Sequence, residues 1–413
     1  MKIWLINHYA VPTKYYPLAR PANFAKYLIE AGHDVTIFAA STVHNSNTNL
    51  INDGSLYKED YVDGIHYVYV KTSSYAGNSI ARILNMFQYP LRLPKVCKRF
   101  EKPDAILATS VTPMACMCGI KLAKKYKCKC VAEIADLWPE TFVSYGIISA
   151  KNILMKLLYS YERNLYTKAP KIIFTMEGGI DYIREKGWDK SHGGHIDEKK
   201  VFHINNGIDL EQYIECCGMN KLEDKDLDSP DTFKIMYTGA VRRVNGLGML
   251  IDVAEKLQDI PKIKFIIYGD GDERAKLETI CEEKALKNIV FKGSVNKKYI
   301  PYVLSKGDIN LIHVTGTPIM RFGCSLNKLF DYFASGKPII SDLPVAYDLI
   351  EKYNAGKTLK TQTPEALAEA IKEFFNMPKQ EYDKMCEGSK KAAKDYDFKN
   401  LTAKLMEIME VTD

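Results

Sequence analysis

A chain of 413 residues can hold two or three domains of ordinary size, each with a sizeable core. Its 46% hydrophobic and 26% charged content lies in the globular range, which excludes a disordered, collagen-like or coiled-coil chain. The net charge of +6 is uneven: residues 1–210 carry 27 Lys and Arg against 19 Asp and Glu, and residues 211–413 carry 30 against 32, so an anionic partner suits the first half, with a solvated lysine-rich face as the plainer reading.

In chain order, Ile3 to Ile6 is a short apolar run ending at Asn7-His8, as a buried parallel strand ends in the loop at its carboxyl end. A helix follows, with Pro21 in its first turn, Phe24, Leu28 and Ile29 on its apolar face and Gly32 stopping it. Val35 to Ala39 is then the next strand. Asp63-Gly64 joins Tyr61-Val62 to the alternating Ile65 to Val70 in a small hairpin. Strands at Ala105 to Ala108, Cys130 to Ile134, Ile172 to Thr175 and Val201 to Ile204 alternate with helices at Met114 to Tyr126 and Ile153 to Tyr166. Cys116, Cys118, Cys128 and Cys130 form two C-x-C pairs, but i and i+2 diverge on a helix, so buried thiols are favoured over a zinc site.

Residues 211–232, acidic and with little apolar periodicity, predict a linker. A second series follows over 233–395, with strands at Ile235 to Tyr237, Ile263 to Tyr268, Ile289 to Phe291, Ile309 to Val314 and Pro338 to Ser341. The fold expected is α/β: two Rossmann-like doubly wound domains facing across a cleft, the first spanning 1–210. Ligands belong at the carboxyl ends of such sheets. The terminal segment 396–413 has Leu401, Leu405, Ile408 and Met409 at helical spacing and is expected to pack back on the first domain.

Four places can carry chemistry. After the strand ending at Tyr237, Gly239 permits a tight turn and Arg242 and Arg243 offer guanidinium forks that suit a diphosphate; a solvent-exposed Arg pair is the bland alternative. In SLNKLFDYF, Ser325 or Asn327 resembles an N-cap, and Lys328 in the first turn is disfavoured there unless an anion compensates it. Asp331, one turn on, can pair Lys328 or accept from a ribose. In GDGDE, Gly269, Asp270 and Asp272 imitate a metal-holding D-x-D, although a turn and an acidic helix start explain them without metal. In EIADLWPE, Asp136 follows a strand and can orient or deprotonate an acceptor hydroxyl, or cap a helix. The chain has no G-x-G-x-x-G after its first strand, no Walker loop and no G-x-S-x-G elbow, which argues against nicotinamide, P-loop and common hydrolase chemistry.

The order and spacing of NHYAVP, EAGHDVTIFAAS, PDAILATS, DLWPE, FHINNGID, YTGAVRR, IIYGDGDE, FKGSV and SLNKLFDYFASGKPII resemble GT-B-fold retaining glycosyltransferases, of the bacterial group that includes capsule and O-antigen transferases. The resemblance spans the chain. It implies transfer of a sugar from a nucleotide-sugar donor, UDP-linked by preference, to a glycan or polyprenyl-diphosphate acceptor in cell-surface polysaccharide synthesis. The rival readings are a sugar-nucleotide 2-epimerase and a nucleotide-sugar-binding subunit without catalysis.

By the same resemblance, Arg243 and Lys328 hold the donor diphosphate; Asp136, read from its own place after a strand, joins them in the candidate catalytic set. Gly239, Gly269, Asp270, Val295, Ser325, Asn327, Leu329 and Asp331 complete the donor site, with Val295 at the base and Asp331 at the ribose. Arg20 and Glu177 belong to the acceptor side. The family pattern departs at three places: Gly323 stands where many relatives carry the first of two acids, Asn245 where many have a lysine, and Tyr16-Pro17 where a Gly-Gly pair is usual.

The two cations imply chemistry that needs no metal or other cofactor, and nothing points to nucleic acid. A cytoplasmic protein is expected, because the start MKIWLINHY has no signal-peptide h-region and no apolar run reaches ~18 residues. Residues 79–100 set Ile83, Leu84, Phe87 and Leu91 among Arg82, Arg92, Lys95, Lys98 and Arg99, which suits contact with anionic lipid at the inner face of the plasma membrane, or else packing of that apolar face on the first domain.

Overall fold

The computed structural model describes residues 1–15, 19–44, 46–75, 77 and 79–410. The chain divides into two compact units, one of residues 1–205 with 398–413 and one of residues 206–397. Both are built from parallel strands with helical crossovers.

The first unit holds β1 (Lys2–Ile6), α1 (Arg20–Glu30), β2 (Asp34–Ala40), β3 (Tyr57–Val62), β4 (Ile65–Val70), α2 (Ile80–Cys97), β5 (Ala105–Thr109), α3 (Pro113–Tyr126), β6 (Lys129–Ile134), α4 (Glu140–Ser144), α5 (Ile153–Lys168), β7 (Lys171–Phe174), α6 (Gly179–Glu185) and β8 (Val201–His203). Its sheet runs β3-β4-β2-β1-β5-β6-β7-β8, and only β3 is antiparallel to its neighbour. Asp63 at φ 53° and Gly64 at φ 76° make the two-residue turn of that hairpin, a conformation that Gly tolerates and Asp adopts more easily than most residues. The central strands are buried along nearly their whole length and mostly apolar, as strands covered by helices on both faces are.

The second unit holds α7 (Leu210–Met219), β9 (Phe233–Thr238), α8 (Gly248–Lys256), β10 (Ile263–Tyr268), α9 (Arg274–Glu283), β11 (Ile289–Gly293), α10 (Ile300–Ser305), β12 (Ile309–Ile312), α11 (Asn327–Ala334), β13 (Ile339–Ser341), α12 (Leu349–Lys352), β14 (Gly356–Thr358), α13 (Pro364–Phe375) and α14 (Lys379–Asp395). Its sheet order is β11-β10-β9-β12-β13-β14, all parallel. Ile235, Phe265, Ile267, Leu311 and Ile340 meet Leu250, Ile251 and Ile371 in its core.

The segment 211–232 is not a linker. Asp209 caps α7 by accepting from the Gln212 amide at 3.1 Å, and Tyr213 of that helix is buried. Further on, Asp224 and Asp226 accept from Lys292 and Lys264, and Asp224 also from the Tyr268 hydroxyl at 2.6 Å. Two acids of the run that resembled a solvated linker, Asp224 and Asp226, are thus neutralised by lysines on β10 and β11. The terminal helix α15 (Phe398–Glu410) belongs to the first unit and lies against α1, with Phe24 edge-on to Phe398 at 5.4 Å.

Candidate active site

In the second unit the loops after β9 and β10 are stitched together. The Gly239 amide donates to the Tyr268 carbonyl, the Val241 amide to Asp270 O at 2.9 Å, and the Glu273 amide back to Val241 O. A Cβ on Gly269 would lie 1.7 Å from the Gly239 carbonyl oxygen, so this close approach requires glycine. Arg243 follows in a single 3₁₀ turn, Arg243–Asn245. Its side chain is exposed and makes no ion pair or hydrogen bond among the described residues.

Lys328 reaches the same loop from α11. Its Nζ donates to the Tyr237 hydroxyl at 3.1 Å, lies 4.2 Å from the centre of that ring, and would sit 2.8 Å from a Cβ placed on Gly239. No carboxylate pairs with it among the described residues, and burial pushes its pKa down to about 8. An ammonium so placed gains from a bound anion. The α11 start adds to this, since its N-cap is Leu326 and no side chain caps it.

Four expectations at this helix change. Ser325 does not occupy the cap, which is Leu326: its hydroxyl accepts from the Asn206 amide at 3.1 Å and its carbonyl from the Asn206 side chain. Asn327 is the first helical residue and exposed, and does not occupy the cap. The Leu329 amide is spent on Leu326 O at 3.1 Å, so it offers no donor to a ligand. Asp331 does not pair Lys328; it is half-buried with no hydrogen-bond partner among the described residues, and desolvation lifts its pKa to about 6. Lys297 and the buried Tyr213, whose hydroxyl has no partner among the described residues, lie within its field.

Elsewhere in the unit, Asp270 accepts from the Gly271 amide at 2.8 Å and lies 3.6 Å from Arg274, so it serves the turn. Val295 is half-buried on the loop that leaves β11. Gly323 sits at φ 89°, where a side chain is strained, so an acid at this position would have no easy place.

In the first unit the three acids of EIADLWPE separate. Glu133 is buried and accepts from Arg20 at 2.9 Å and Thr109 at 2.9 Å; Glu140 is buried and accepts from Lys186 and Tyr159. Asp136 is exposed at the carboxyl end of β6, and desolvation by the surrounding protein raises its pKa. Ile134 and Phe174 are register partners in β6 and β7, which brings Asp136 and the half-buried Glu177 to the same sheet edge. Arg20 is not an acceptor group. It is buried and donates to Glu133 and to the Ile204 and Asn205 carbonyls, so its guanidinium is committed to the fold. Tyr16-Pro17 lies outside the described residues.

Residues 21–212 match the model of Glycosyltransferase Family 4, and residues 219–394 match that of Glycosyl transferases group 1. Together the two models span most of the chain, which carries the paired domains of GT-B glycosyltransferases. A protein named for glycosyl transfer in colanic acid biosynthesis, WcaI of Escherichia coli strain K12, is 24% identical over 243 residues, 57% of each chain. The match thus spans little more than half the length of that relative. Among solved structures, Anabaena HepE in complex with UDP and glucose aligns at TM-score 0.67 and 16% identity, with 100% of both chains covered. WaaG, a glycosyltransferase involved in lipopolysaccharide biosynthesis, aligns at 0.66 and 14%, again over 100% of both chains.

Two parts of this glycosyltransferase's group 1 domain escape sequence reasoning. The Tyr237 hydroxyl is a hub: it receives Lys328 and, at 3.2 Å, the Asn245 side chain, and donates to Ala240 O. Asn245 thus braces the tyrosine beneath the site. His313, 2% exposed, lies 2.5 Å from Asp342 through Nδ1 and 3.0 Å from the Gly246 carbonyl through Nε2. Gln362 donates to Asp342 and to Val314 O. The ring thus bridges Asp342 and the Gly246 carbonyl, and holds the turn carrying Arg243. Sequence offered only a histidine at a strand end for this.

Proposed function

We propose that the chain is a retaining glycosyltransferase that takes a sugar from a nucleoside diphosphate donor, UDP-linked by preference, and delivers it to a glycan or polyprenyl-diphosphate acceptor in surface polysaccharide synthesis. The observation that carries the donor reading is the Lys328 ammonium, held on the Tyr237 ring beside the Gly239 backbone with no counter-anion among the described residues. A diphosphate bound there would meet Lys328 and the uncapped start of α11, with Arg243 on the adjoining loop. As the glycosidic bond to the diphosphate lengthens, negative charge grows on the phosphate oxygens and these groups stabilise it, which is the part a metal ion plays in other enzymes. The proposed transfer is therefore metal-independent. Asp331 accepts from the ribose hydroxyls, and Val295 packs on the base.

On the acceptor side Asp136 orients the attacking hydroxyl, and Glu177 shares its sheet edge. The HepE complex with UDP and glucose supports the uridine preference, and the colanic acid and lipopolysaccharide proteins support the class of product. The test combines a thermal-shift screen of nucleotide sugars with turnover of the best donor over lipid-linked acceptors, with and without EDTA, and NMR of the product anomer. A bound donor at 100 times its Kd adds about 2.7 kcal/mol. An inverted product removes the retaining mechanism, and loss of turnover in EDTA removes metal independence. Binding without turnover over any acceptor would return the non-catalytic reading, for which the acid-free Gly323 speaks.

A further inference from the structure

The segment that resembles a linker carries a helix whose one buried side chain is polar. On α7, Ile214 and Met219 are 63% and 74% exposed, whereas Tyr213 is 6% exposed. The helix is held where it starts: Asp209 caps it, the Tyr213 amide donates to Asp209 O at 2.9 Å, and the Ile208 amide donates to Tyr396 O at 3.0 Å. It packs on α10, on α11 and on the 3₁₀ turn Lys297–Tyr299.

Two polar groups on these packed helices are unmet. The Tyr213 hydroxyl is closed off from solvent and has no hydrogen-bond partner among the described residues, and the half-buried Asp331 carboxyl of α11 has none either. Asp331 is also the charged group that acts most strongly on that hydroxyl, and burial keeps the phenol protonated, so it is available as a donor. A phenylalanine would bury the same ring without an unmet hydroxyl, which destabilises a folded chain. A ligand does not reach an atom that has no exposed surface, so the acceptor that accounts for the hydroxyl is the neighbouring carboxylate. Lys297, on the 3₁₀ turn, favours the charged form of that carboxylate.

We propose that Tyr213 is a positioning residue for the ribose end of the donor: when a ribonucleoside diphosphate binds, the Tyr213 hydroxyl donates to one oxygen of Asp331 and aims the other at the ribose hydroxyls. This rests on the reading of Asp331 given above. The ligand class follows from the geometry. A carboxylate fixed toward a diol selects ribonucleotides, because an analogue lacking the hydroxyls leaves a desolvated carboxylate oxygen unpaired. The hydroxyl thus lowers the stability of the free protein and serves the bound one.

The experiment is titration calorimetry of the full chain with three probes: UDP, 2′,3′-dideoxy-UDP and inorganic pyrophosphate. Tyr213→Phe is expected to weaken UDP about tenfold, the worth of a hydrogen bond to a charged group, and to leave the other two probes unchanged, with Tm equal to or above that of the parent. In an Asp331→Asn background the same substitution should have no further effect on UDP, since the group through which it acts is gone. Unchanged UDP affinity in Tyr213→Phe, an equal loss for all three probes, or a loss that persists beside Asp331→Asn would each overturn the proposal; the second of these is what a merely structural role gives. The two readings fail differently. A parent chain that binds neither UDP nor pyrophosphate removes the donor reading and this proposal with it, whereas UDP binding that is indifferent to Tyr213→Phe, or no tighter than that of dideoxy-UDP, removes the proposal alone.

Discussion

Lys328 and Asp331 sit one turn apart, and both are charged groups that burial opposes. For Lys328 the folded pKa of about 8 lies below the ordinary lysine value of ~10.4. The folded chain then binds fewer protons than the unfolded one between those values, so this residue's penalty is full below pH 8 and is relieved as pH rises toward ~10.4. Donor affinity should run the other way, high while the amine is charged and falling as pH climbs through about 8; titration calorimetry at pH 7 and pH 9 reads this directly. Lys328→Ala and Arg243→Ala should each slow turnover about a hundred- to thousandfold, the usual cost of removing one group that stabilises developing charge. Near-native rates in both would remove the site.

Asp331 makes the opposite trade. Its pKa of about 6 is above the ordinary ~3.9, so the folded chain holds the extra proton, and the residue's contribution is lost as pH rises from 4 through 6. Asp331→Asn is therefore expected to raise the unfolding free energy at pH 7.5, by at most about 3 kcal/mol, while weakening donor binding. A variant that lost stability and kept affinity would contradict the assignment. Sequence pointed to Lys328, Asp331 and Arg243 because charge at a helix start or glycine turn is legible there. It misled at Arg20, since an arginine that looks available is spent on Glu133 and two carbonyls brought in from positions more than a hundred residues away.

At the scale of elements, the group 1 domain fixes its binding loops from behind. Gly269 fits under the Gly239 carbonyl, Tyr237 supports Lys328 and Asn245, and the His313–Asp342–Gln362 chain ties β12 and β13 to the Gly246 turn. His313→Asn removes a hydrogen bond to a charged group and is expected to cost about 1.5 to 3 kcal/mol in urea unfolding. If His313 positions the Arg243 turn, the donor KM also rises, and this rise should be absent in Arg243→Ala, because the turn then holds nothing. Strands and long helices were legible from apolar runs and their stops. Helix α7 was not, because its periodicity is weak alone and its place is set by packing against α10 and α11.

At the scale of the whole molecule, the last helix closes the first unit. Phe398, Leu401, Leu405, Ile408 and Met409 are buried, and the Lys171 ammonium donates to Ile408 O at 2.8 Å. At roughly 1.5 to 3 kcal/mol for each such side chain, their burial is comparable with the ~5 to 15 kcal/mol that holds a domain folded. A chain ending at residue 397 should lose the first unit's transition in calorimetry while the second unit's persists. Two intact transitions would show the helix to be dispensable.

The sequence alone determined the two α/β series, the class of enzyme they resemble and the residues whose charge has no local use, since apolar periodicity, turn residues and helix-end electrostatics are short-range properties. Only the tertiary structure decided which charges are already satisfied. Glu133, Glu140 and Arg20 are consumed by partners distant in sequence, Asp136 and Lys328 are not, and the exposed leucines of α2 and α5, Leu84, Leu91, Leu154 and Leu157, are known to be outward only once their helices are laid on the sheet. Whether a polar group or an apolar side chain is available depends on what the fold brings to it, and that is a long-range property.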